Sequence, residues 1–396
     1  MPTEPRRILV VRNRFVGDAM LAVPFLRNLR RRFPRAVIEV LCEAGSTALL
    51  AGCPHVDGVL PWKRPPRIGG VVWGSFLNLL WQAWRLRGRR YDRAYLLKRS
   101  LSSALLAWLA GIPCRIGFRS SGSRLLSRVV PIVPHRHQVE LFLDLLRCEG
   151  LAIDDGHNEH WTSPETLAKA DALLAAVPRG RRRVFVAPRS TADRKRWPLD
   201  RLARVIDWLV ADRGCEVFLC GSPRDQRVHA ALLRLVDPDT TAHVHDHSGA
   251  LSLAEVGGLL ARMDLCLGID TGLTHVAAAH GVPVVVLVGP SDPNRWHPWG
   301  VPGEVLKGMH ALRTDHGLIR GGEVRWNPDP VPMEAIPIGH VIDAVDRLLA
   351  GRPAPARRVL ETIDLRQGAH RYEVWASPRQ AAAAAEPATK PLAHAH

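Results

Sequence analysis

The sequence has no Cys-x-x-Cys pair, no Gly-x-Gly, no Walker phosphate loop and no His-Glu-x-x-His, and each absence removes a class of protein. Without paired cysteine spacing a zinc site lacks its ligand frame. The seven cysteines, at positions 42, 53, 114, 148, 215, 220 and 266, fall mostly in apolar runs and read as buried, reduced thiols of a cytosolic protein. The missing Gly-x-Gly removes the dinucleotide fingerprint and counts against a dehydrogenase; the other two gaps count against P-loop kinases and zincins. Long apolar runs are missing too. The run after Arg6 and Arg7 ends at Arg12, too short for a secretory signal. The longest uncharged stretch, Ile68 to Trp84, is broken by Gly, Ser, Asn and Gln and makes a poor membrane span. The expectation is a cytoplasmic protein that lies on a membrane at most.

Acidic residues are scarce in one place. Between Pro61 and Arg136 a single acid, Asp92, stands against fifteen Lys or Arg, so this stretch carries +14 of a formal +16. A basic protein is often a nucleic-acid binder. One basic block on a near-neutral body says instead that one surface faces something anionic: nucleic acid, lipid headgroups, or a phosphorylated or carboxylated acceptor. The chain has 396 residues, 46% hydrophobic and 23% charged. That is room for roughly two to three domains with large cores, and it excludes wholesale disorder.

Ile8-Leu9-Val10-Val11 is a continuous apolar run typical of a strand buried on both faces of a parallel sheet. A polar loop from Arg12 to Asp18 follows, then apolar residues four apart at Leu21, Phe25, Leu29 and Phe33, then a strand from Ala36 to Cys42. That is a βαβ unit whose loop opens at the carboxyl edge of the sheet, where ligands bind. The same grammar restarts with strands at Val184–Ala187, Glu216–Cys220, Leu265–Ile269 and Val282–Val288, and helices at Asp200–Asp212, Leu253–Arg262 and Thr271–His280. The expected fold is α/β, with two Rossmann-like domains facing across a cleft: residues 1–165 and 180–350, parted by a polar, Pro-containing stretch near 162–180. Residues 351–396, rich in Pro, Ala and Arg, are expected to form a disordered tail.

Three loops at the carboxyl edge of the second block carry the chemistry. In Gly268-Ile269-Asp270-Thr271-Gly272-Leu273-Thr274-His275 a strand gives way to a helix, whose free N–H groups and dipole suit an anion such as a diphosphate. A plain N-cap at Asp270 or Thr271 and a packed helix histidine at His275 are the simpler alternative. In Arg189-Ser190-Thr191-Ala192-Asp193-Arg194-Lys195-Arg196-Trp197-Pro198 the Ser190 and Thr191 hydroxyls and the Lys195 cation could hold phosphate oxygens together, although a basic surface loop has the same composition. Gly289-Pro290-Ser291-Asp292-Pro293 is the third. Three polar loops at one sheet edge favour a nucleotide-diphosphate pocket.

The ordered set of motifs resembles glycosyltransferase family 9, the ADP-heptose–lipopolysaccharide heptosyltransferases, over roughly Arg7 to Ala350. It comprises Val16-Gly17-Asp18 with Pro24, Ser102-Ser103-Ala104 running to Gly111-Ile112-Pro113 and Arg115-Ile116-Gly117-Phe118, Lys195-Arg196-Trp197-Pro198, Asp270-Thr271-Gly272 with His275, and Gly289-Pro290-Ser291-Asp292-Pro293. The resemblance implies a B-type glycosyltransferase fold, acceptor in the N-terminal domain and nucleotide sugar in the C-terminal one, and an inverting reaction without metal or cofactor. It places the catalytic base on Asp18, diphosphate contacts on Ser190, Thr191, Lys195, Thr271 and Gly272, and the donor-site acid and histidine on Asp270 and His275. The implied partners are a nucleotide-sugar donor, an anionic glycolipid acceptor and, peripherally, the inner leaflet of the cytoplasmic membrane, with no nucleic acid. Asp18 also reads this way by itself: a carboxylate after Gly in a strand-to-helix loop can take a proton from a sugar hydroxyl. Its plainer alternative is an N-cap.

Some features stand apart. Arg189 occupies a position where many family members have a small residue, and either contacts phosphate or shields the pocket. His243, His245 and His247 alternate as on one strand face, but without the carboxylates of a hydrolase site they make a weak metal candidate. Arg12 and Arg14 flank the loop before Asp18 and either meet an anionic acceptor or lie in solvent. Trp73, Phe76, Leu77, Leu80 and Trp84 share a helical face ahead of Arg85, Arg87, Arg89 and Arg90, as in an interfacial helix on an anionic leaflet; a core helix with a solvated basic loop fits nearly as well. The expected function is heptose transfer from ADP-heptose to the lipopolysaccharide inner core. Another nucleotide sugar or acceptor on the same fold, and a nucleic-acid binder using residues 61–136, are the alternatives.

Overall fold

Successive residues of the first strand point to opposite sides of a sheet, and both sides of this one are apolar. Ile8 and Val10 enter one core and Leu9 and Val11 another, all fully buried. The computed structural model describes residues 4–12, 16–62, 73–178, 180–189, 193–314, 331–351, 358–364 and 369–375. The N-terminal domain runs β1 (Arg7–Arg12), α1 (Val16–Leu21), α2 (Val23–Arg32), β2 (Val37–Glu43), α3 (Ala44–Leu50), β3 (Gly58–Trp62), α4 (Trp73–Arg87), β4 (Arg93–Leu96), α5 (Leu101–Leu109), β5 (Cys114–Phe118), β6 (Arg128–Val130) and α6 (Gln138–Arg147). Its strands are parallel in the order β3-β2-β1-β4-β5-β6, with Ile8 opposite Ile38 on one side and Arg93 on the other. The helix expected from Leu21 to Phe33 is two helices. Pro24, which has no N–H to give, sits in the first turn of α2 and starts it afresh after Ala22.

The second domain begins with α7 (Pro164–Leu174), followed by β7 (Arg183–Ala187), α8 (Leu199–Ala211), β8 (Glu216–Leu219), α9 (Gln226–Leu233), α10 (Pro238–Thr241), β9 (Val244–Asp246), α11 (Leu253–Leu260), β10 (Leu265–Ile269), α12 (Gly272–Ala279), β11 (Val284–Leu287), α13 (Pro293–Trp296), β12 (Gly303–Lys307), β13 (His310–Thr314) and α14 (Ile338–Leu349). The sheet order is β13-β12-β11-β10-β7-β8-β9, with only β13 antiparallel. Apart from that edge strand, the order repeats that of the first domain. In each domain the strand order reverses beside its first strand, between β1 and β4 and between β7 and β10. Such switch points open a crevice at the carboxyl ends of the strands.

Two findings differ from the sequence reading. The polar stretch between the blocks contains a helix, α7, started by the Ser163 hydroxyl accepting from the Thr166 N–H and by Pro164 in the first turn. It packs on α11. In the segment expected to be a disordered tail, β14 (Arg358–Asp364) and β15 (Ala369–Trp375) pair antiparallel, with Val359 opposite Val374 and Glu361 opposite Tyr372. Residues with high strand propensity recur in both halves of this hairpin, a signal hidden by the Pro- and Ala-rich composition around it.

The two domains share a core. Phe25, Leu29 and Phe142 of the first belong to the same buried cluster as Phe185, Leu259 and Val276 of the second, while α4 with α5 and α8 with α14 cover the outer sides of the two sheets. The packing of α7 on α11 depends on small residues: a Cβ on Gly258 would meet the Thr166 carbonyl oxygen at 2.9 Å. Gly258→Ala should therefore cost about 1–3 kcal/mol and lower the melting temperature by several degrees. Gly339→Ala in the first turn of α14, where nothing lies within 4 Å, should be neutral or slightly stabilising. Calorimetric scans of the two variants check the contrast.

Candidate active site

At the first switch point β1 ends at Arg12, and Asp18 follows in the first turn of α1. Both are buried and form an ion pair, and the Arg12 guanidinium lies over the Phe142 ring, 5.4 Å from its centre. Burial raises the Asp18 pKa above that of an ordinary carboxyl; Arg12, then His275 and Arg295, pull the other way without cancelling it. Asp18 opens onto a cavity of about 450 Å³ whose walls include Arg12, Lys98, Arg99, Gln138 and Arg295. A carboxylate poised to accept a proton beside a cationic cavity suits deprotonation of a hydroxyl on an anionic acceptor.

At the second switch point Asp270 follows β10. It accepts from Lys195 Nζ at 2.8 Å and from Ser291 Oγ at 2.6 Å, and His275 Nε2 lies 3.8 Å from its other oxygen. Burial alone would raise the Asp270 pKa; His275 and Lys195 outweigh it and hold the carboxyl below its ordinary value. Thr271 caps α12 in extended conformation and forms a capping box with Thr274, whose hydroxyl donates to the Thr271 carbonyl at 2.7 Å. The N–H groups and dipole of the helix start beside Lys195 suit an anionic ligand. Lys307, at the end of β12, is buried nearby and donates to the Ser291 carbonyl at 3.2 Å.

The two sites meet along a seam between α1 and α12. Gly17 has no Cβ, and one placed there would stand 2.7 Å from His275 Cδ2 and 3.3 Å from Gly272 Cα. Further along the seam His135 bonds to Asp292 at 3.1 Å, Arg295 donates twice to Gln138, and His137 stacks on Trp299 with ring centres 4.5 Å apart. Asp18, Lys195, Asp270, Thr271, Gly272 and His275 thus gather about one cleft. Ser190 and Thr191 lie outside the described residues, as does Arg14.

Arg189 turns to the neighbouring loop, where it pairs with Asp225 and donates to the Arg224 carbonyl at 2.9 Å. Of the three alternating histidines, His243 and His245 hydrogen-bond at 2.9 and 2.8 Å to the fully buried Glu216, the carboxylate on the adjacent strand. That arrangement satisfies a buried charge, and among the described residues no His, Cys, Asp and Glu group is arranged to hold a metal. Trp197 enters the core and donates to the Ile336 carbonyl at 3.2 Å, whereas Lys195 of the same motif reaches Asp270 on the donor side. Lys98, Arg99, Arg295 and Lys307 were not singled out from the sequence; the first two could have been found, since they follow β4 at a switch point. Six cysteines are buried and Cys114 is half-buried; burial pushes the Cys42, Cys53 and Cys220 thiols up to about 12.

Two doubly wound domains with facing switch points, one presenting a carboxylate and the other a cation-flanked helix start, define a glycosyltransferase of the B-type fold. Residues 80–311 match the model of glycosyltransferase family 9 (heptosyltransferase), and the chain belongs to that family. Lipopolysaccharide heptosyltransferase 2 of Escherichia coli K12 is 28% identical over 329 residues, 78% of this chain and 90% of the relative. The structure of the E. coli ADP-heptose lps heptosyltransferase II superposes with a TM-score of 0.68 at 25% identity, covering 88% of this chain and all of that one. The glycosyl transferase family 9 structure from Veillonella parvula gives 0.73 at 20% identity, over 89% and 99% of the two chains.

Because Arg12 opposes the effect of burial on Asp18, Arg12→Met should raise the Asp18 pKa further. A base must be ionised, so activity rises with pH through that pKa, and the acid limb of kcat/KM should move to higher pH in the variant. A pH–rate profile of wild type and variant reads the shift; an unmoved limb would remove Asp18 as the ionising group.

Proposed function

We propose that this enzyme transfers L-glycero-D-manno-heptose from ADP-heptose to the inner core of lipopolysaccharide, with inversion and without a metal ion. The observation that carries the proposal is Asp18. It is the one carboxylate among the described cavity-lining residues, and it faces the Lys195–Asp270 loops across the α1–α12 seam. The names of the heptosyltransferase relatives supply the sugar and the nucleotide.

In this reading the acceptor hydroxyl oxygen attacks the anomeric carbon while Asp18 takes its proton. The bond from that carbon to the diphosphate breaks on the opposite face, and ADP leaves with the electron pair. The charge developing on the leaving oxygen is met by fixed groups, Lys195 and the N-terminus of α12. Ser190 and Thr191 are proposed as further diphosphate contacts. Asp270 serves as a positioning residue, since its carboxylate gathers Lys195 and Ser291 on one side of the helix start.

Asp18→Asn should bind ADP as the wild type does, by calorimetry, and transfer nothing. A donor panel of ADP-heptose, UDP-sugars and GDP-sugars, assayed for nucleotide release with an inner-core acceptor, should show turnover with ADP-heptose. Release from a different nucleotide sugar would keep the fold and the base but replace the donor, and full transfer by Asp18→Asn would remove the base.

Peripheral attachment to an anionic inner leaflet belongs to the same proposal. On α4, Phe76, Leu77, Trp81 and Trp84 stand exposed, the last at 73%, and Leu101 and Trp108 of α5 stand exposed beside that helix. The Trp73 side chain lies outside the described residues, and no described helix is long and apolar enough to cross a membrane. Exposed aromatic groups with Arg85 and Arg87 in the last turn of α4 are the chemistry of an interfacial helix. Sedimentation with phosphatidylglycerol vesicles should fall at high salt and in the Phe76→Ser/Trp84→Ser double variant, while transfer to a water-soluble acceptor stays unchanged. Equal recovery under all conditions would leave the face as ordinary surface.

A further inference from the structure

Cations outnumber carboxylates among the described residues that line the cavity beside Asp18. Arg12 ends β1, Lys98 and Arg99 follow β4, and Arg295 comes from α13 of the other domain, against the single carboxylate of Asp18. That carboxylate is already committed to Arg12. Arg295 has a neutral partner instead. Its Nε and Nη2 both donate to Gln138 Oε1, at 2.9 and 2.7 Å, and its guanidinium lies over the Trp296 ring, 5.3 Å from the centre.

Burial first, and then the neighbouring Arg99, lower the Arg295 pKa to about 10 although Asp18 and Asp292 oppose them. Among the described residues the side-chain hydrogen bonds of Arg295 go to an amide, and a partly buried guanidinium held this way is short of negative charge. The fork onto Gln138 fixes the plane of the guanidinium, as bidentate recognition of a carboxylate or phosphate requires. Gln138 is itself buried at the start of α6. The aim of Arg295 is thus set by the N-terminal domain while its backbone belongs to the donor domain.

We infer that Arg295 binds an anionic group of the acceptor, a carboxylate or a phosphate, from across the domain seam, so that the donor domain itself reads the acceptor's charge. The inference deepens the transfer reaction proposed above and rests on it. It makes the acceptor anion a bridge between domains: with Arg99 on one wall and Arg295 on the other, the anion ties both walls beside the base. A neutral sugar of the same shape would lack that tie.

The experiment compares wild type, Arg295→Met and Arg295→Lys in the full chain, with three acceptors: intact inner core, the same with its carboxylates methyl-esterified, and the same dephosphorylated. Removing a hydrogen-bonded charge from a buried site should raise the acceptor KM of Arg295→Met about tenfold or more with intact acceptor. Donor KM should hold, and Arg295→Lys should recover part of the loss. One of the two neutralised acceptors should raise the wild-type KM at least to that of Arg295→Met and penalise that variant less than it penalises the wild type; which one does so identifies the group. The same penalty for Arg295→Met on all three acceptors would overturn the inference and leave Arg295 as a staple onto Gln138. An unchanged KM would overturn it outright. Equilibrium binding of the three acceptors to ADP-loaded enzyme gives the same comparison without turnover, so a wrong sugar donor and a wrong role for Arg295 are told apart. Calorimetric ADP binding confirms that each variant is folded.

Discussion

The rest of the molecule depends on the contact between α1 and α12. Each helix begins at the carboxyl edge of its own sheet, and the two beginnings meet where Gly17 lies against His275 and Gly272. A side chain there would have to displace a buried ring and a helix backbone, and close-packed interiors yield little. The contact sets the separation of the two switch points, and therefore the distance between the base on one and the anion site on the other. It also lets the apolar residues behind both helices merge into one core spanning the domains. The cleft is thus held from below by apolar packing and along its rim by polar pairs such as His135–Asp292 and Arg295–Gln138.

Electrostatics at the seam divide the work. Asp18 and Asp270 are both buried acids near His275, yet their pKa values are displaced in opposite directions. Asp18 has one close cation and a desolvation that exceeds its effect, so it is raised toward the pH range of a base. Asp270 receives Lys195, Ser291 and His275 together, so it stays ionised and acts as a fixed charge. Environment gives two identical side chains two uses.

The basic block from 61 to 136 turns out to do several things. Arg89 and Arg93 neutralise Glu39 and Glu149, and Arg136 pairs with Glu140 and Asp144, acids that lie outside the block in sequence but beside it in space. Arg115 and Arg128 donate to backbone carbonyls, at 2.6 Å to Leu125 and 2.9 Å to Cys148. Lys98 and Arg99 line the cavity, and Arg85 and Arg87 stay exposed on α4. The single basic surface expected from the count is two smaller basic surfaces, the cavity wall and the outer helix, because the sum of charges along the chain ignores the acids that folding brings alongside.

The alternation of strands and helices was legible in the chain alone, since period-two and period-four apolar patterns follow from backbone geometry. The sequence also marked Asp18, Lys195, Asp270, Thr271, Gly272 and His275, because each follows a strand that must end at the ligand-binding edge. It could not reveal α7, whose start signals lie in a polar stretch, or the pairing of Glu216 with His243 and His245, residues far apart in the chain. Nor could it separate Trp197, which packs inward, from Lys195 two residues earlier, which faces the cleft. Above all, the placing of Arg295 of one domain beside Asp18 of the other comes from packing between the domains. Local patterns specify elements, but contacts across a domain seam depend on how two separately formed sheets pack, and that packing is written in shape and buried area with no spacing that a linear reading can detect.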